Sequence, residues 1–371
     1  MLKKIGLYTL LVAVMPLAIL ELGLRFMPVS SPPYLLPVTA SNPVPRYQPN
    51  LDYHFSVGPD FELVTVKRSN NYGYAHSADY RPEATTPLLM VIGDSFVEAQ
   101  QVNAGKSAPE LLHAALQGAG RVYSIGVSGA PLSQYLVFAD YARRTFRPDA
   151  MAFFVIGNDF DESLLKYKSE PRFHYFDERD GALALTRRDY ALSDAKKVLR
   201  HSALLRYVMY NCAAEHRVQT LLDRSAPATY ADLSPAELEE RIRDSEHAVD
   251  HFFKLLPSMS GLDTRAIVFV LDAVRPAIYS EAALKAAESG FHERMRRYFA
   301  AQAAARGYAV IDLQPVFIAR HRRDGTRFDF ATDNHWNELG HRIVADELAK
   351  SALFGRVFRS RELVPAVLRK D

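Results

Sequence analysis

The chain has 371 residues, 48% of them hydrophobic and 24% charged, with 45 Lys and Arg against 43 Asp and Glu for a net charge of +2. That length and composition fit one large or two ordinary globular domains and exclude a disordered chain, and the isolated pairs Arg143-Arg144 and Arg322-Arg323 make no basic patch for nucleic acid. The lone Cys212 excludes an intramolecular disulfide and a cysteine-based zinc site, and it reads as a packing residue.

After Met1-Leu2-Lys3-Lys4, the stretch from Ile5 to Leu20 carries no charge, and apolar character continues past Glu21 and Arg25 to Met27. Residues 1–27 therefore read as an N-terminal membrane anchor or a signal peptide. The anchor is preferred, because Gly23 to Ser31 contains no convincing small-x-small cleavage site and Pro32-Pro33 follow at once. A transmembrane helix from Ile5 to about Leu24 is long enough if Glu21 lies at headgroup level, and Lys3 and Lys4 would keep the N-terminus on the cytoplasmic side. Residues 28–60 hold eight prolines and are expected to form an extended tether that stands the domain off the bilayer. From Phe61 to Lys67 polar and apolar residues alternate, as in a short strand or hairpin arm.

Five apolar runs follow, at Leu88 to Ile92, Val122 to Ile125, Met151 to Ile156, Ala266 to Leu271 and Tyr308 to Leu313. Helical patterns lie between and after them, around 106–118, 131–146, 234–257, 281–306 and 337–352. Continuous rather than alternating hydrophobicity means strands buried on both faces, hence an α/β domain over 61–371 with a parallel sheet between helical layers. The alternation breaks at about 160–233. There, Phe173 to Thr186 with Asp180-Gly181 reads as a hairpin and about 194–223 as helical, which together make an inserted cap. Arg172, His174, Tyr175 and Tyr190 are candidates to line a groove beneath it, with a solvated hairpin face as the simpler reading.

In such sheets, sites form beyond the carboxyl ends of strands. Gly93-Asp94-Ser95-Phe96 follows the first run, which puts a serine hydroxyl at a sharp strand-end turn. Gly126-Val127-Ser128-Gly129 follows the second run and Gly157-Asn158-Asp159 the third. Backbone N–H groups at a glycine turn, joined by an asparagine amide, can donate to a developing oxyanion. Asp333-Asn334-His335-Trp336 precedes the last helix, and in an extended segment residues two apart share a side, so Asp333 can orient His335. Asn337 reads as the cap of that helix, His341 as a weaker base than His335, and Trp336 as a packing residue that supports the histidine loop. Asp94 and Asp159 read as turn or loop supports. Asp159, Asp161 and Glu162 lack a histidine set at metal-ligand spacing, and no cofactor is called for.

Over about residues 86–352 these four blocks resemble, in order, the motifs of the SGNH or GDSL hydrolase family. The resemblance implies a three-layer α/β/α, flavodoxin-like fold and acyl-ester chemistry. Ser95 would be the nucleophile, His335 the general base and Asp333 its orienting partner, with an oxyanion hole from the Ser95 and Gly129 N–H groups and the Asn158 amide. The commonest family pattern has Asp three residues before His, where this chain has Thr332. The Asp-x-His-Trp form is similar to that of alginate O-acetyltransferase-type proteins and of membrane-anchored relatives from exopolysaccharide systems. The expectation is a single-pass bacterial inner-membrane protein with a periplasmic domain that hydrolyses small acyl esters, acetyl esters above all, on an envelope or secreted polysaccharide. The alternatives are an O-acetyltransferase using the same triad, a non-catalytic scaffold subunit, and a lipase at the bilayer.

Overall fold

The computed structural model describes residues 8, 10–179, 181–212, 230, 232–331 and 333–358. Strands β1 (Leu51–Val57) and β2 (Leu63–Ser69) pair antiparallel as a hairpin, so the alternating segment near 61–67 has its partner inside the expected tether. Strands β3 (Leu88–Gly93), β4 (Arg121–Gly126) and β5 (Ala150–Val155) follow, then the insertion hairpin β6 (His174–Arg179) and β7 (Ala182–Arg187), then β8 (Ile267–Leu271) and β9 (Ala309–Asp312). The central sheet runs β4-β3-β5-β8-β9, parallel throughout.

Side chains alternate across this sheet into two cores. Met90, Ile92, Phe153 and Phe269 face one side with the helices Leu132–Thr145, Pro235–Ser260 and Phe291–Ala305. Leu89, Val91, Phe154 and Val268 face the other with Ala108–Ala115, Leu313–Asp324 and Glu338–Ala349. Burial of β3, β4, β5 and β8 on both faces accounts for their continuous apolar runs, whereas β9, at the sheet edge, is only partly covered. The expected three-layer α/β arrangement is present.

Several boundaries differ from the sequence reading. The pattern at 281–306 divides into Glu281–Ala287 and Phe291–Ala305, with Gly290 in extended conformation between them. The run at 308–313 ends early, because Asp312 caps the unexpected helix Leu313–Asp324 by accepting the Gln314 N–H. The proline-rich tether is not a free spacer. Val29, Leu35, Val38 and Val44 are buried, and Val38 bridges Tyr190 of the insertion, so the aliphatic residues between the prolines lay this segment on the domain. At the N-terminus Met15–Leu24 is helical, and among the described residues no helix is long and apolar enough to cross a membrane. Most of the first part of the expected span, residues 1–7 and 9, lies outside the described residues, as does much of the expected helical stretch up to 223.

Candidate active site

Strand β3 delivers Ser95 to the carboxyl edge of the sheet. Asp94 accepts the Phe96 N–H at 2.9 Å and so caps the single helical turn Ser95–Glu98. That turn packs against two glycines. A Cβ on Gly93 would meet Val97 Cγ2 at 2.4 Å, and one on Gly126 would meet the Glu98 N at 2.7 Å. Both strand ends must therefore lack a side chain for the serine turn to sit on the sheet. Burial pushes the Asp94 carboxyl up to about 6, against the pull of the Phe96 N–H and the nearby His335.

The Asp333 to Trp336 segment reaches the serine from the other side. His335 Nε2 lies 2.8 Å from Ser95 Oγ, and His335 Nδ1 lies 2.6 Å from Asp333 Oδ1. Asp333 Oδ1 also accepts the backbone N–H of His335 at 2.8 Å. A carboxylate facing Nδ1 places the ring proton there, which leaves Nε2 to accept from the serine hydroxyl. Partial burial pushes the Asp333 carboxyl up, but hydrogen bonds and charge from His335, with help from Gln101, outweigh it and hold the group below its usual range. Asn337 caps the following helix through Gly340 N–H, as expected. His341 is buried, accepts the Ala108 N–H, and is driven down to about 3 by desolvation.

Asp94, Ser95, Gly129, Asn158 and His335 line one cavity of about 980 Å³. Gly129 adopts φ +79°, a conformation that favours glycine. The N–H groups of Ser95 and Gly129 and the Asn158 amide have no partner among the described residues, so all three can donate into the cavity. Asp159 is buried behind them. Its Oδ2 accepts the Ile156 N–H at 2.8 Å and the Tyr135 hydroxyl at 2.9 Å, which pins the Gly157-Asn158 turn. Desolvation, reinforced by Asp94, raises the Asp159 carboxyl well above its usual range.

The histidine loop is braced by residues that the sequence reading did not single out. Gln101 Nε2 donates to Asp333 Oδ2 at 3.2 Å and passes 3.1 Å from His335 Nδ1. Its loop turns at Ala99, which adopts φ +52°, and the buried Lys67 of β2 donates to the Ala99 carbonyl at 2.8 Å. Trp336 is fully buried and donates Nε1–H to Asp272 Oδ1 at 2.9 Å. Asp272 also pairs with Arg275 at 2.6 Å, and Arg275 donates to the Asn334 carbonyl and stands over the Phe96 ring. A polar residue directly after β8 was the available signal for Asp272. For Gln101 the sequence carried none.

The four groove candidates do not line the cavity. His174 is buried and bonds Gln134, Tyr175 donates to the Glu170 carbonyl, Tyr190 bridges Val38, and Arg172 pairs with Glu170. The apolar hairpin face turns inward to the core, and the preceding loop from Leu165 to Pro171 forms the cavity wall instead.

Residues 231–358, which include Asp333 and His335, match a family described as SGNH hydrolase-like domain, acetyltransferase AlgX. The matched stretch covers about a third of the chain. Solved structures similar to it include a lipolytic protein of the G-D-S-L family from Veillonella parvula DSM 2008, with 13% identity over 72% of this chain and 98% of that one at TM-score 0.38. An acetyl xylan esterase shares 13% identity over 71% of this chain and 99% of that one at TM-score 0.38. The lipase Lip_vut3 from a goat rumen metagenome shares 12% over 72% and 98% at TM-score 0.41. No curated protein matches the chain. The matched stretch contains Asp333 and His335, while Ser95, Gly129 and Asn158 lie before it.

Proposed function

We propose that this chain is a serine-dependent acyl-transfer enzyme that hydrolyses small acyl esters, acetyl esters above all. The observation that carries the reading is the unbroken line Ser95 Oγ, His335 Nε2 at 2.8 Å, and His335 Nδ1 to Asp333 Oδ1 at 2.6 Å, opening on a cavity with unused N–H donors. Ser95 Oγ attacks the ester carbonyl carbon as His335 takes its proton, and the oxyanion accepts from Ser95 N–H, Gly129 N–H and the Asn158 amide. His335 then gives the proton to the leaving alcohol oxygen, which yields acyl-Ser95. Water, deprotonated by His335, attacks that ester, and the acid leaves as the Ser95 hydroxyl is restored. Asp333 keeps the imidazole in the required tautomer throughout.

A second reading, O-acetyl transfer to a polysaccharide, is favoured by the match to an acetyltransferase family and by a cavity far larger than an acetyl group. A sugar hydroxyl then replaces water, gives its proton to His335 and leaves as the acetyl ester. We also place the chain at a bacterial inner membrane, on the charge-free stretch Ile5 to Leu20 and the exposed apolar helix that ends it. The test offers the full chain in detergent an acetyl donor, with and without oligosaccharides, beside Ser95→Ala. Free acetate supports the esterase and acetylated sugar the transferase. Equal product from the alanine variant contradicts both.

A further inference from the structure

Among the described residues, the large exposed apolar side chains lie in the N-terminal stretch or the insertion, apart from Val64 and Val66 of β2. Val12, Leu17, Ile19 and Leu22 are more than half exposed on the first, and Leu205, Val208 and Met209 are exposed on the turns Ala203–Arg206 and Tyr207–Asn211 of the second. The two are joined at Glu21. Its carboxylate accepts the Ser202 hydroxyl at 2.7 Å and the N–H groups of Ala203 and Leu204 at 3.0 and 2.9 Å, and Arg25 pairs with it at 2.8 Å. The one acidic residue of the apolar stretch thus caps the insertion turns instead of facing outward. Arg206 donates to the Ser30 carbonyl at 2.9 Å and Arg200 to the Pro32 carbonyl, so three guanidinium groups gather where the chain leaves the helix. Apolar side chains followed by a basic layer match the order of acyl chains and anionic headgroups in a bilayer leaflet.

We infer that the insertion turns Ser202–Asn211 are a membrane-contact element that holds the domain against an anionic phospholipid surface. The inference rests on the membrane reading proposed above and assigns the insertion a partner which that reading leaves open. The apolar face of Leu205, Val208 and Met209 continues the helix surface across the Glu21 junction, and the segment 29–50, anchored on the domain by the buried Val29, Leu35, Val38 and Val44, leaves no free spacer to lift the domain away.

The test uses the full chain in vesicles of phosphatidylcholine and phosphatidylglycerol, in a Cys212→Ser background. An environment-sensitive fluorophore is placed on a cysteine at Leu17→Cys, Val208→Cys or Arg322→Cys, with a nitroxide quencher on the upper acyl chain. Interfacial side chains sit roughly 5–10 Å into the leaflet, so emission from positions 17 and 208 is expected to fall by about half while position 322 is unchanged. Quenching at 17 with 208 behaving as 322 would overturn the inference and leave the membrane reading standing. No quenching at 17 would overturn both.

Discussion

The two halves of the proposed active site are held by different means. Ser95, Gly129 and Asn158 follow directly on β3, β4 and β5, and their positions are set by parallel strands, by two glycines without room for a side chain, and by backbone hydrogen bonds. Asp333 and His335 belong to a loop that closes on itself through the bridge Asp329 to Trp336 and the Phe330 N–H to the Asp333 carbonyl, and that is braced by side chains from elsewhere in the chain: Gln101, Asp272 and Arg275. A site built on strand ends tolerates change outside its motif, whereas one built on a braced loop fails through residues distant in sequence.

Substitutions can break this contrast at graded strength. Ser95→Ala removes the nucleophile, and kcat for a chromogenic acetate should fall on the order of 10⁴-fold or more with folding intact. Asp333→Asn keeps the shape but permits the wrong imidazole tautomer, so kcat should fall on the order of 10³-fold to 10⁴-fold. Asp272→Ala strips partners from the buried Trp336 N–H and Arg275, and denaturant unfolding should show a loss of about 3 kcal/mol. Gln101→Leu deletes a bond to an ionised carboxylate and leaves Ser95 untouched. It should lower kcat roughly tenfold to a hundredfold and move the acid limb of the pH profile, with KM unchanged. If Gln101→Leu left that limb in place, the brace would be structural only.

The smallest expected effect is a pH dependence of stability. The folded Asp94 carboxyl is raised from 3.8 to about 6, so the folded state holds that proton more tightly than the unfolded one. Its protonated form adds stability below about pH 4, and that contribution is lost as pH rises to about 6. Across that window the wild type should lose stability relative to Asp94→Asn in parallel denaturant titrations.

The same contrast explains what was legible in the sequence. Strands β3, β4, β5 and β8 announce themselves because burial on both faces demands uninterrupted apolar runs, and the blocks at their ends are local. Asp333 and His335 were readable because the carboxylate that accepts from the imidazole stands only two positions before it. Gln101 was not, since its role depends on a left-handed turn at Ala99 fixed by Lys67 of a hairpin more than thirty residues away. The proline-rich segment misled for a related reason. Prolines set local extension, and only tertiary packing reveals that Val29, Leu35, Val38 and Val44 are covered.

Ser95 is the proposed nucleophile, and covalent labelling of the folded full chain by a fluorophosphonate, which forms a phosphonate ester on an activated serine, tests that role. One adduct is expected on the Ser95 peptide by mass spectrometry, absent from Ser95→Ala and strongly slowed in His335→Ala. A folded wild-type sample that takes no label, or takes it equally in the alanine variant, would contradict it.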